Sequence, residues 1–203
     1  MSCIFMAYFY VKMKMMKSNE ETALLIMDLQ NGIVSRYSDK PDILVLFQKA
    51  VEAARGNDIP VIFVRVAFSE GYPENNPRNK MFSALSKSGG MTVVDPGTQI
   101  HESLQPQPNE PVVSKFRVSA FAGSNLEVIL RSMGIDTLVL SGISTSGVVL
   151  STLREAADKD YAITVLSDAC FDGDPEVHRV LTEKVFPRQA DVITVNDWVN
   201  SLK

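Results

Sequence analysis

Apolar residues along this chain fall into two spacings that take turns. Six short, largely β-branched runs, Thr22–Met27, Pro60–Val66, Pro111–Ser114, Thr137–Ser141, Ala162–Ser167 and Asp191–Val195, read as strands buried on both faces of a parallel sheet. Between most of them apolar residues recur at helical spacing. Ile43, Leu44, Phe47, Ala50, Val51 and Ala54 make one face of a helix, with Pro41 near its start and Gly56 after its end. Ser124-Asn125-Leu126-Glu127 has the form of a capping box, and Gly134 is placed to stop the helix it opens. Asp174 and Pro175 fit the cap and first residue of a further helix. Strand and helix in alternation predict an α/β, doubly wound layered fold with right-handed crossovers.

Ala67 to Glu110 breaks the alternation. It carries Gly, Pro, Asn and Ser clusters such as Gly71-Tyr72-Pro73-Glu74-Asn75-Asn76-Pro77, with Met81, Phe82 and Leu85 marking a short helix inside it. Loops of that length in compact domains serve as lids, binding loops or subunit contacts. No repeat, low-complexity tract or linker divides the rest, so residues 21–203 are expected to form one domain. Residues 1–20 are set apart as an N-terminal extension. The run MSCIFMAYFYVKMKMM places its lysines after its apolar stretch, the reverse of a secretory signal, and is too short to span a bilayer. It is expected to be a poorly ordered extension, the product of an upstream start codon, or an arm used in oligomer contacts.

Composition narrows the class of partner. With 45% hydrophobic and 22% charged residues the chain is an ordinary globular one, and a net charge of −4 with scattered Lys and Arg argues against a nucleic acid partner; no membrane partner is expected either. Its two cysteines, Cys3 and Cys170, cannot supply a disulfide framework or a multi-cysteine metal site, which makes a reducing, cytoplasmic setting the expectation.

In doubly wound sheets, ligands bind beyond the carboxyl ends of the strands. The residues placed there are Asp28-Leu29-Gln30-Asn31, Lys115-Phe116-Arg117, Gly142 to Val148, and Asp168-Ala169-Cys170. An Asp and a Lys facing one pocket suit proton transfer, since their attraction and their desolvation pull their protonation equilibria in opposite directions. Each also has a plainer role open to it, Asp28 as a backbone cap and Lys115 as a solvated strand-end lysine. Arg117 reads as an ion-pair or surface residue. The turn 142–148 enters a helix, where free N–H groups favour a developing negative charge. Ser144, Thr145 and Ser146 add hydroxyls there, although Ser and Thr are also ordinary helix caps.

The stretches Ala23-Leu24-Leu25-Ile26-Met27-Asp28-Leu29-Gln30-Asn31, Val113-Ser114-Lys115 with Ser119-Ala120-Phe121, Gly142-x-x-Thr145 with Ser151-Thr152, and Ser167-Asp168-Ala169 together resemble the isochorismatase-like hydrolase superfamily, from about Thr22 to Trp198. The resemblance implies a three-layer fold whose six-stranded parallel sheet has the order 3-2-1-4-5-6, with helices on both faces. It implies Asp28 as the acid/base residue, Lys115 as its partner, an oxyanion hole from the N–H groups of Ser144 and Val148, a non-proline cis peptide at Ile143–Ser144, and a dimer or tetramer. Gln30, Thr145, Ser146 and Gly147 become candidate substrate contacts.

Two departures restrict the activity implied. Val148 stands where most members of the superfamily carry the attacking cysteine, which closes the usual thioester route. Where nicotinamidases place metal-binding histidines, this chain reads Val64-Arg65-Val66-Ala67-Phe68, so neither metal nor other cofactor is expected. Cys170 is assigned to packing, and His101 and His178 to structural or solvated roles. The superfamily includes isochorismatases that work without the cysteine by protonating a vinyl ether and activating water, which Asp and Lys can supply.

The expectation is a hydrolase acting on a small carboxylated or carbonyl substrate by cysteine-independent acid–base chemistry of Asp28 and Lys115. The alternative is a catalytically silent ligand-binding or assembly protein that has lost its nucleophile. A dinucleotide-binding dehydrogenase is disfavoured, because Asp28-Leu29-Gln30-Asn31-Gly32 lacks the glycine fingerprint.

Overall fold

The computed structural model describes residues 21–39 and 41–203, so the extension expected over 1–20 lies outside the described residues. Along the chain run β1 (Thr22–Met27), α1 (Asn31–Val34), α2 (Val45–Arg55), β2 (Val61–Val66), α3 (Lys80–Ser88), β3 (Val112–Lys115), α4 (Leu126–Ser132), β4 (Thr137–Ile143), α5 (Leu150–Asp158), β5 (Ala162–Phe171), α6 (Pro175–Val180), β6 (Asp191–Ile193) and α7 (Val195–Ser201). The strands form one parallel sheet in the order β3-β2-β1-β4-β5-β6, as expected.

Successive strand residues point to opposite faces, which explains the nearly unbroken apolar runs. Ala23, Leu25 and Met27 of β1 join Leu126 and Leu130 of α4 and Leu153 and Ala156 of α5 in one core. Leu24 and Ile26 join Phe47, Ala50, Val51 and Ala54 of α2 and Val195 and Trp198 of α7 in the other. Two helical layers therefore sandwich the sheet and leave its carboxyl edge open for a site.

Three local expectations need correction. Beta-4 and β5 run past Ser141 and Ser167, because pairing resumes at Gly142–Cys170 and Ile143–Phe171 after a register shift following Leu140. The additional residues lie on the β5 side, where Asp168 accepts a hydrogen bond from the Val195 N–H at 2.7 Å. Asp168 and Cys170 thus belong to a strand and not to the loop beyond it. The capping box does not close either: the Ser124 hydroxyl accepts from the Leu126 N–H, while Glu127 pairs with Arg131 and Lys159. Two cations within reach attract the carboxylate more strongly than one backbone N–H. By contrast, Asp174 caps α6 by accepting from the N–H groups of Glu176 and Val177.

The 67–110 region packs back on the sheet. Phe68 pairs with Thr92, Ile100 with Gln30, and α3 starts at Asn79, whose side chain accepts from the Phe82 N–H. No helix among the described residues is long and apolar enough to cross a membrane.

Candidate active site

At the end of β1 the chain takes a left-handed conformation at Asp28, with φ +61°. Aspartate tolerates that region better than most residues, at a cost on the order of 1 kcal/mol. The Asp28 N–H donates to the Val64 carbonyl at 2.8 Å, which fixes the backbone to the neighbouring strand. Lys115, the last residue of β3, lies in register with Val66 of β2, so β2 runs between the two charged residues. The lysine stem spans that gap. Its Nζ lies 3.0 Å from Asp28 Oδ2 and donates also to the Arg117 carbonyl. Asp28 and Lys115 are only 6% and 2% exposed.

The second carboxylate oxygen, Asp28 Oδ1, is buried with no hydrogen-bond partner. A buried acceptor left in that state costs about 1–3 kcal/mol, more when charged. Burial pushes the Asp28 carboxyl above its ordinary value of 3.8, against the charge and hydrogen bond of Lys115, which pull it down.

Across the cavity, β4 delivers the turn. Met27 and Gly142 face each other in register so closely that a Cβ on Gly142 would lie 2.5 Å from the Met27 carbonyl oxygen, which only glycine permits. The peptide bond Ile143–Ser144 is cis, as the resemblance implied. Residues Thr145–Val149 form one π-helical turn before α5. Within it the N–H groups of Gly147 and Val149 donate to the Ser144 carbonyl, and that of Ser146 to Asp172. The Ser144 Oγ lies 2.6 Å from where a Gly147 Cβ would be, so glycine leaves that hydroxyl its place.

A cavity of about 340 Å³ unites these parts, lined by Asp28, Lys115, Ser144, Gly147 and Val148 together with apolar side chains from the 67–110 region. Val148 is 2% exposed and belongs at the same time to the core beneath the cavity, so its position presents a hydrocarbon surface. Cys170 is absent from the lining. Its thiol is pushed up to about 12, first by burial and secondarily by the charge of Asp168, against a hydrogen bond from the Gly142 backbone, which suits packing and not nucleophilic attack.

Three candidate substrate contacts are placed elsewhere. The Gln30 amide is fully buried and spent on strand β2, donating to the Val66 carbonyl and accepting from its N–H. Thr145 is fully buried, with Oγ1 2.8 Å from His178 Nδ1, and the exposed Ser146 side chain lies outside the lining. Gly147 does line it. The cavity also has walls that the sequence did not mark: Arg36 and Tyr37 beyond α1, Met91, and Val118 after β3. Met81, Phe82 and Leu85, read as a short helix, were the legible part of the cavity wall, whereas a helical turn as short as the one carrying Arg36 leaves no periodicity to read. Arg117 lies outside the lining; its guanidinium donates to the carbonyls of Phe116 and Glu74 and lies 5.7 Å from the Phe82 ring centroid, which fixes α3 over the cavity. Among the described residues no group of His, Cys, Asp and Glu is arranged to hold a metal.

The chain is 31% identical to a ureidoacrylate amidohydrolase of Pseudomonas savastanoi pv. phaseolicola, over 90% of this chain and 81% of that one. Its fold matches a cysteine hydrolase of Pseudomonas syringae pv. phaseolicola with a TM-score of 0.82 at 21% identity, over 91% of this chain and 93% of that one. It is also similar to an N-carbamoylsarcosine amidase of Thermoplasma acidophilum, with a TM-score of 0.71 at 27% identity over 87% and 97% of the two chains. The isochorismatase domain family matches residues 22–197, and the chain belongs to that family of isochorismatase-like hydrolases.

Proposed function

We propose that the cavity is the active site of a hydrolase that attacks a small carboxylated or carbonyl substrate with water directly, Asp28 moving the proton and no thiol taking part. The single observation that carries this is that Asp28, which lines the cavity, has one carboxylate oxygen held by Lys115 and the other without a hydrogen-bond partner among the described residues. Asp28 takes a proton from water, the water oxygen adds to the carbonyl carbon, and the electron pair moves onto the carbonyl oxygen. The N–H groups of Ser144 and Val148, which the family resemblance implies as the oxyanion hole, are assigned to stabilise that developing charge. Collapse expels the leaving group, which receives the proton back from Asp28, and Lys115 holds the carboxylate throughout. A vinyl ether substrate uses the same parts, with the proton going first to the enol ether. The amidohydrolase and amidase names of the relatives support hydrolysis as the reaction class.

Val148 supports the thiol-free route, because the position from which the resemblance implies nucleophilic attack carries only hydrocarbon. The test begins with a panel of amides, ureido acids, esters and vinyl ethers. Asp28→Asn and Lys115→Ala are expected to abolish turnover while a cooperative melt and ligand binding survive, and Cys170→Ala to leave turnover in place. Retained turnover in both of the first two, or its loss in the third, overturns the reading. Binding across the panel without turnover supports a silent binding protein instead. Assembly into a homo-oligomer belongs to the same proposal, and light scattering on the full chain tests it.

A further inference from the structure

We infer that Arg36 is a specificity residue of this cavity and that it selects substrates with an apolar body and a carboxylate remote from the reacting bond; the inference rests on the cavity being the active site. Three charged side chains line it: Asp28, Lys115 and Arg36. The first two neutralise one another across 3.0 Å. Arg36 has no hydrogen bond or ion pair with any described residue, so the cavity carries one uncompensated positive charge among its described lining residues. Arg117, the other arginine of this neighbourhood, is spent on the Glu74 and Phe116 carbonyls.

Burial orders these groups along the cavity. Asp28 and Lys115 lie at its floor, 6% and 2% exposed, while Arg36 is exposed at its mouth. Most of the remaining lining is apolar, with Ile33, Met81, Phe82, Leu85, Met91 and Val118 among it. A ligand whose reacting bond reaches Asp28 therefore lays hydrocarbon along that wall and brings its far end to Arg36. A guanidinium accepts a carboxylate there through two parallel N–H donors, a geometry that a lysine does not reproduce.

The arginine stands on a fixed support. Alpha-1 and the 3₁₀ turn Ser35–Tyr37 that carries Arg36 follow Asn31, whose N–H and side-chain amide bond the Gln99 and Pro96 carbonyls. A Cβ on Gly32 would lie 3.1 Å from the Gly97 carbonyl oxygen, so the two segments are in close backbone contact. Little ordering of the backbone remains for a ligand to impose.

The test is calorimetric titration of the full chain with 3-phenylpropanoate and with 3-phenylpropanamide, which differ in charge and hardly in shape. Wild type and Asp28→Asn are both expected to prefer the acid by about tenfold, a modest factor because Arg36 is exposed to water. Arg36→Gln is expected to remove the preference while leaving amide binding and the melting temperature unchanged, and Arg36→Lys to restore part of it. Equal binding of acid and amide by wild type, a preference that survives in Arg36→Gln, or binding of neither compound overturns the inference. None of these readouts needs turnover, so they are separable from the acid–base reading, which is decided by turnover in Asp28→Asn, Lys115→Ala and Cys170→Ala.

Discussion

Asp28 and Asp172 are each the first residue after a strand flanking β4, one beyond β1 and the other beyond β5, and they are 6% and 9% exposed. Their surroundings give them opposite characters. Beyond β5 the chain curls so that Asp172 Oδ2 accepts from the Ser146 N–H at 2.7 Å and Oδ1 from the Asp174 N–H at 3.3 Å. Burial opposes ionisation of Asp172, but hydrogen bonds from Ser146, then Asp174 and Gly173, outweigh it and hold the carboxyl below its usual value. Beyond β1 the left-handed residue turns its own N–H back to Val64, and the carboxylate meets only Lys115 and the cavity. The same side chain at equivalent places in the topology becomes a structural tie where a loop supplies N–H donors and a group poised for chemistry where it does not.

The contrast breaks most sharply in turnover. Asp28→Asn is expected to lower kcat/KM on the best substrate of the panel by about 10²–10⁴-fold. Asp172→Asn, which acts only through the turn backbone, is expected to lower it by no more than roughly tenfold, since it shifts positions without removing a reacting group. Equal losses would erase the distinction.

Next in size is the ion pair. Lys115→Met leaves the Asp28 charge buried and alone, an expected loss of about 3–5 kcal/mol in urea unfolding, whereas the double variant Asp28→Asn with Lys115→Met recovers most of it. Asp172→Ala deprives two backbone N–H groups of their acceptor and is expected to cost about 1–3 kcal/mol by the same measurement. The difference sharpens if no second substitution near Asp172 restores stability, because its partners belong to the main chain.

The smallest effect carries opposite signs at the two sites. Asp28 is raised above 3.8, so its protonated form contributes stability that is fully present below that pH and is lost as pH rises through the raised value. Asp172 is lowered, so its contribution is present above 3.8 and is lost as pH falls through the lowered value. Urea midpoints of wild type minus Asp28→Asn should therefore decline with pH above 3.8. Those of wild type minus Asp172→Asn should rise with pH below 3.8. Slopes of the same sign would contradict the assignment.

The layered alternation and the residues at the strand ends were legible because each leaves a local mark: buried parallel strands are continuous apolar runs, and Asp28, Lys115 and Gly142–Val148 lie at the ends of such runs, whereas the strand order came from the resemblance. What escaped reading is decided by partners distant in sequence. Nothing near Gln30 announces that its amide serves Val66, nor near Thr145 that His178 reaches it from α6. The β5 continuation to Phe171 was hidden for a similar reason, since Asp168 looks like a strand stop until Val195 is seen to satisfy it. Arg36 left no mark at all, being one exposed arginine in a short polar segment.

Asp28 follows β1 and Lys115 ends β3, strands that never pair with each other, with β2 between them and the long 67–110 segment separating β2 from β3 along the chain. Their meeting is therefore an event in time as well as in space. Closing that segment is entropically costly and slow compared with forming helices, so a chain in which β3 has not yet docked holds an aspartate without its lysine. Refolding followed by far-ultraviolet dichroism and by turnover should show activity returning after helical signal, and coincident recovery would argue against this order. Turnover then serves as a clock for the docking of β3.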